Sequence, residues 1–205
     1  MAKRGQISKE LERVTGGYLN DLVGNTVTLE DDSNISGAVH LSGMTGLSAG
    51  SGFSDAALYK SWRSELGSIT KTELLIDLTG IRSTAANDII GNDGAASANI
   101  GQYTTAVMGT LFAVEMSCIE APGGGDPDIN LAFADEATLA EDSALSAGTN
   151  NGTVLNNGDL AAEKEYWAIT GFPAANQYLY LVAGATTDGD YNAGVIKIEF
   201  YGTNV

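Results

Sequence analysis

The sequence predicts a mainly β protein: an antiparallel β-sandwich or jelly-roll-like domain, with a short N-terminal helix or arm and long Gly-rich loops. Three observations predict it. Apolar and polar residues alternate through some seven segments of the second two thirds of the chain, the period of a half-buried antiparallel strand. Gly, Asn and Asp fill the intervals, and the chain has 26 Gly. The 205 residues suffice to bury a substantial core.

Residues 7–15 read as a short helix. Ser8 caps it, Ile7, Leu11 and Val14 share a face, and Gly16-Gly17 ends it. Residues 26–30 (Thr-Val-Thr-Leu-Glu) read as a strand, and Asp31-Asp32-Ser33-Asn34 as its turn. Residues 42–54 are a Gly/Ser-rich loop. A second helix is predicted over 54–67: Ser54 and Asp55 are cap-like, Leu58, Trp62 and Leu66 recur at i, i+4 and i+8, and Gly67 stops it. The expected division is a docking region at 1–67 and a β-sandwich domain at 68–205.

The strands follow. Residues 72–78 place Leu74, Ile76 and Leu78 on one face. Residues 103–120 read as one long strand with a candidate break near Gly109. Phe112, Val114, Met116 and Cys118 face one way there, with Glu115 and Ser117 opposite. Residues 128–134 turn Ile129, Leu131 and Phe133 inward, and 165–172 put Trp167 and Ile169 together. Residues 177–185 set Leu179 and Leu181 against Tyr178 and Tyr180. Residues 194–201 point Ile196, Ile198 and Phe200 inward, and Lys197 and Glu199 outward. Asp188-Gly189 is a turn signal that would make the last two strands a hairpin. The polar stretches 82–101 and 135–163 exceed ordinary loop lengths and read as functional or disordered.

Charge narrows the function. With 10 Lys+Arg against 26 Asp+Glu, the net charge is −16, which opposes general binding to a phosphate backbone. Lys3, Arg4, Lys9 and Arg13 make the first fifteen residues locally basic, whereas residues 83–163 contain no Lys or Arg. That polarity suits a docking end and a water-facing end; Lys3, Arg4, Ile7, Lys9, Leu11 and Arg13 are the expected interface residues. One Cys excludes an internal disulfide, and one His excludes a multi-His metal site. The polar N-terminus has no apolar core of a signal peptide and no stretch is long enough for a membrane span, so the expectation is a protein made in a cytoplasm, with no membrane partner.

The motifs are thin. Gly46-Leu47-Ser48-Ala49-Gly50 matches a nucleophile elbow, but the only His, His40, lies upstream of Ser48, the wrong order for that fold. Asp188, Asp190 and Asn192 open like a calcium loop yet lack its sixth-position Gly; a plain turn explains them as well. Asp126 and Asp128, around Pro127, are a similar weak metal candidate in a turn whose carboxylates should face water. Cys118 sits on an apolar strand face as a small buried hydrophobe. No catalytic residue and no cofactor is expected.

The run Ile119-Glu120-Ala121-Pro122-Gly123-Gly124-Gly125-Asp126-Pro127-Asp128-Ile129-Asn130-Leu131 follows a long strand. The chain closes with Tyr178-Leu179-Tyr180-Leu181-Val182-Ala183-Gly184 and Gly194-Val195-Ile196-Lys197-Ile198-Glu199-Phe200-Tyr201-Gly202. In this texture residues 68–205 resemble virion structural proteins of marine tailed bacteriophages, of the capsid decoration (cement) type. The resemblance implies a β-sandwich that assembles on a particle, often as a homotrimer, without enzymatic activity. It also implies a place on the capsid surface, with the major capsid protein or other virion subunits as partners. Two alternatives stand beside it: a tail or portal-proximal component, and a carbohydrate-binding module with Tyr103, Trp167, Tyr178, Tyr180 and Tyr201 as an aromatic platform.

Overall fold

A computed structural model describes residues 46–185 and 187–204. The predicted helix at 7–15, the strand at 26–30, His40 and the six expected interface residues lie outside the described residues. The chain divides into two units at residues 40/41, and the described residues belong to the second, Leu41–Val205.

The second unit is mainly β and antiparallel. Its strands are β1 (Leu58–Leu66), β2 (Ile69–Asp77), β3 (Arg82–Ser83), β4 (Asn99–Gln102), β5 (Thr110–Gly123) and β6 (Ile129–Ala134). They continue as β7 (Gly152–Leu155), β8 (Lys164–Ala168), β9 (Tyr178–Ala183), β10 (Gly189–Asp190) and β11 (Ala193–Thr203). A one-turn helix, α1 (Thr105–Met108), precedes β5. One sheet has the order β1-β2-β11-β5-β8, a second β4-β9-β6-β7, and β10 pairs with β3 alone.

The alternation in the sequence explains the layering. Leu74 and Ile76 of β2, Ile196, Ile198 and Phe200 of β11, and Val114, Met116 and Cys118 of β5 are all buried. They share one core with Ile129 and Leu131 of β6 and Leu179 and Leu181 of β9. The two sheets therefore face each other across that core, a sandwich-like arrangement.

The second helix is not formed: residues 58–66 are strand β1. A spacing of four fits a helix face and equally one face of a strand, so Leu58, Trp62 and Leu66 carried no decision. The pairing decides. Trp62 lies opposite Glu73 and Leu66 opposite Ile69 in a hairpin closed by Gly67-Ser68, with Gly67 at φ +61°. The expected boundary at 67/68 thus falls inside this hairpin. Core residues extend back to Leu47 and Phe53.

The strand predicted at 103–120 is broken as its Gly109 suggested, with α1 before the break. Thr104 caps α1, its hydroxyl accepting the Val107 N–H at 3.3 Å. Phe112 is not inward. The β5–β11 register shifts at Tyr201/Gly202, which puts Leu111 inside and Phe112 in solvent. Gly202 sits at this irregularity, where a Cβ would collide with the Met108 carbonyl oxygen. Trp167 and Ile169 face outward and are exposed, while Tyr166 packs against the core.

β9 and β11 are not a hairpin either. They belong to different sheets, and the segment between them instead pairs β10 with β3. The long polar stretches are neither excursions nor open loops. Ile89, Ala98, Leu139 and Leu145 pack on Ala132, Ala134, Tyr180 and Val182, so these segments form a second small core on the outer side of the four-stranded sheet. The Ile89 N–H donates to the Ser143 carbonyl at 3.0 Å, and the Ala98 N–H to the Leu139 carbonyl at 2.9 Å, tying the two segments together.

Candidate functional site

The outer face of the five-stranded sheet carries the most concentrated chemistry among the described residues. Register assembles it. Trp62 on β1 lies opposite Glu73 on β2, Glu73 opposite Glu199 on β11, Glu199 opposite Glu115 on β5, and Glu115 opposite Trp167 on β8. One transverse row thus reads Trp-Glu-Glu-Glu-Trp across all five strands. At about 4.8 Å per strand, the two tryptophans stand roughly 19 Å apart.

The row's centre is buried although it lies on the outer face. Glu199 is 3% exposed and Glu115 is also buried, whereas Trp62 is 38% and Trp167 53% exposed. A carboxylate so desolvated must be paired. Lys71 bridges Glu199 and reaches Glu73 at 2.9 Å; Lys197 reaches Glu199 at 3.1 Å. The Trp62 indole N–H donates to Glu73 Oε2 at 2.6 Å, and the Ser117 hydroxyl to Glu115 Oε1 at 2.9 Å. The Tyr201 hydroxyl lies 3.4 Å from Glu115 Oε2 and 3.3 Å from Glu199 Oε2. Its ring stacks on Trp167 with centroids 6.0 Å apart and planes at 17°, and the Lys71 ammonium sits 5.8 Å from its centroid.

These surroundings drive the two central carboxyls apart. Burial pushes Glu199 up, but the Lys71 and Lys197 ammonium groups outweigh it and hold the group down at about 2. Burial raises Glu115, the Ser117 hydroxyl opposes it, and the neighbouring Glu199 and Glu165 charges raise it further. Burial also pushes the Tyr201 phenol up to about 12, with Glu199 adding to it. The face is a tied network of donors and acceptors with an aromatic at each end. Next to the Trp167 end opens a depression of about 510 Å³, lined in part by Ser117, Glu165 and Lys197.

Sequence reasoning found parts of this. It placed Lys197, Glu199, Glu115 and Ser117 on the outward side of their strands. It missed Trp62 and Glu73, whose signal was their equal distance from the Gly67-Ser68 turn. Of the five aromatics expected as a platform, only Trp167 and Tyr201 come together. Tyr103 is buried with its hydroxyl donating to the Gly109 carbonyl at 3.0 Å, and Tyr178 and Tyr180 pack in the small second core.

Of the weak metal candidates, Asp188, Asp190 and Asp126 have protein partners, whereas Asp128 Oδ1 is buried without one. Asp188 Oδ1 accepts from Arg82 at 2.8 Å, and Asp93, Glu141 and Asp190 surround the same guanidinium at 3.4, 3.9 and 3.9 Å. Arg82 supplies the positive charge there. The Asn192 side chain lies against Gly123 and Gly124. Asp126, expected to face water, is fully buried; its Oδ1 accepts the Asp128 N–H and its Oδ2 the Ala185 N–H, both at 2.9 Å. It is a turn clasp, formed because buried backbone N–H groups need acceptors. Asp128 is raised by burial, with Asp126 and Asp159 adding to it. Among the described residues no group of three or more His, Cys, Asp or Glu is arranged to hold a metal.

Ser48 is exposed; residues 46–50 are neither strand nor helix, and the 3₁₀ turn Ser51–Phe53 follows in place of a helix. The strand-turn-helix of a nucleophile elbow is not formed there. Cys118 is buried, and burial raises its thiol pKa, as its strand position predicted. No family model, no curated protein and no solved structure matches this chain.

Proposed function

We propose that the chain is a non-enzymatic structural protein of a virion, a capsid decoration module whose five-stranded sheet is its recognition face. One observation supports a dedicated face: the sorting of surface chemistry between the two sheets. All seven exposed large apolar side chains among the described residues lie on, or next to, strands of the five-stranded sheet: Trp62, Leu66, Ile69, Phe112, Ile119, Trp167 and Ile169. So do five of the six described cationic side chains, Lys60, Arg63, Lys71, Lys164 and Lys197. Exposed apolar groups concentrated on one face mark an interaction surface. The segments covering the four-stranded sheet contribute acids and, Arg82 aside, no cation.

On this reading the basic residues at 1–15 join the sandwich to the major capsid protein or another virion subunit. The acidic covering layer meets water, and copies associate as a homo-oligomer, a trimer in the simplest case. The virion assignment itself rests on the resemblance of residues 68–205. Two measurements test it. Deleting residues 1–15 should abolish incorporation into particles. Stripping the protein from particles should lower the temperature at which they release DNA. Incorporation without the segment, or unchanged release, overturns the reading. Copy number separates capsid from tail: hundreds per virion against a dozen or fewer.

A further inference from the structure

The tryptophan-flanked row has a pattern that a protein partner does not explain. The centre of a protein–protein interface is depleted in charge and holds its aromatic anchors. Here the order is inverted: Glu199 and Glu115 occupy the centre and the exposed tryptophans stand at the two ends. A sugar chain asks for that inverted order. Its rings present C–H faces that stack on aromatic surfaces, and its hydroxyls each need a donor and an acceptor close together.

The face supplies both. Glu73, Glu199 and Glu115 are acceptors in the row, and the Lys71, Lys197, Ser117 and Tyr201 side chains are donors touching them. The depression beside Trp167 extends the same chemistry, since Lys197, Ser117 and Glu165 lie two residues from the row on their strands. Its volume of about 510 Å³ falls within the range of small-ligand sites. Charge narrows the ligand class. The chain carries −16, and Lys71 and Lys197 are already committed to Glu199. A sulfated or sialylated glycan would meet repulsion without a free cation on this row.

We propose that the row from Trp62 to Trp167 is a binding site for a neutral oligosaccharide, laid across the strands of the five-stranded sheet. This rests on the reading of that sheet as the recognition face, and not on how the chain is held to a particle. The ligand stacks on Trp167 and Trp62, and its intervening hydroxyls exchange hydrogen bonds with the part-exposed Lys71, Glu73, Lys197 and Ser117 side chains that surround the buried Glu199 and Glu115.

The test uses the full chain on an array of neutral oligosaccharides (cellohexaose, maltohexaose, xylohexaose, chitohexaose and mannan fragments) together with sialylated and sulfated glycans. Titration calorimetry and tryptophan fluorescence then follow each hit. The expected result is binding to at least one neutral oligosaccharide, with a blue-shifted tryptophan emission. Trp167→Ala and Trp62→Ala should each weaken it by about tenfold or more, and Trp167→Phe should retain most of it. Both tryptophans are exposed, so the variants should melt close to the parent; a melting curve run beside each titration checks this.

No neutral hit, binding confined to acidic glycans, or binding indifferent to both tryptophan substitutions overturns the proposal. Loss of particle association in the tryptophan variants, with no glycan bound by the parent, means that a protein occupies the face instead. Glycan binding by a chain that never joins particles leaves this site standing and removes the decoration reading.

Discussion

Replacing Lys71 with Met should destabilise the fold in a way that disappears in acid. Lys71 is the link between Glu73 and the buried Glu199, and it also caps the Tyr201 ring. Met keeps an unbranched apolar stem of nearly the same length and removes the ammonium group. Breaking a fully buried pair costs about 3–5 kcal/mol, and an exposed one about 0–1 kcal/mol. Lys71 lies between these limits, its side chain 32% exposed against 4% for Glu199, and Lys197 still reaches Glu199 at 3.1 Å. The expected loss is therefore about 2 kcal/mol at pH 7, a fall in melting temperature of roughly 4–8 °C for a chain of this size.

The pH dependence identifies the cause. Glu199 is depressed from its ordinary 4.5 to about 2, so its pairing stabilises the fold above pH 4.5 and is lost as pH falls through about 2. Lys71 is held above its ordinary value by Glu199 and Glu73, so the same bridge is also lost when pH rises far enough to discharge it. Urea unfolding of parent and variant at pH 7, 4 and 2.5 should show the difference shrinking with acidity. The double variant with Glu199→Gln should show most of the Lys71 effect already gone. A difference that stays constant from pH 7 to 2.5 would refute the ion-pair argument and leave packing on Tyr201 as the cause.

Three further outcomes follow from the packing. Phe200→Ala empties a fully buried site where β11 meets both neighbours, and should cost about 3–5 kcal/mol in chemical denaturation. Asp126→Ala strands the Asp128 and Ala185 N–H groups, for about 2–4 kcal/mol; Asp126→Asn, which keeps one acceptor oxygen, should fall between parent and Ala. Cys118, buried and with its thiol raised by burial, should resist iodoacetamide at pH 8 and label at once in urea; rapid labelling of the folded chain would place it in solvent.

The sequence made the inward faces of β2, β9 and β11 legible because each keeps an uninterrupted period of two. It failed where two periods coincide or where register breaks. Leu58, Trp62 and Leu66 satisfy a helix and a strand alike, and only the partner strand β2 separates the two. Phe112 keeps the alternation of its neighbours in the sequence, but it is the extra residue that β5 inserts opposite the Tyr201–Gly202 step, and this turns it outward. The tryptophan row was illegible for a deeper reason. Glu73, Glu115, Trp167 and Glu199 are far apart in the chain, and only the order β2-β11-β5-β8 lines them up. The stretch without Lys or Arg, by contrast, was visible from the start and acquires a place. Its residues 85–98 and 135–148 form the layer over the four-stranded sheet, while cations gather on the other sheet.

The same row has a consequence for how the chain finds its own alignment. A sheet with one apolar face tolerates sliding by two residues, because every side chain keeps its side. Sliding β11 by two so that Glu199 faced Leu75 would leave Phe200 and Ile198 inside, but it would carry Glu199 away from Lys71 and strand a carboxylate with almost no water. Sliding by one would drive Glu199 and Lys197 into the core. The buried charge thus weighs against slides that a purely apolar pattern would not resist. It penalises these near-miss pairings, which an all-apolar β11 would permit at little cost.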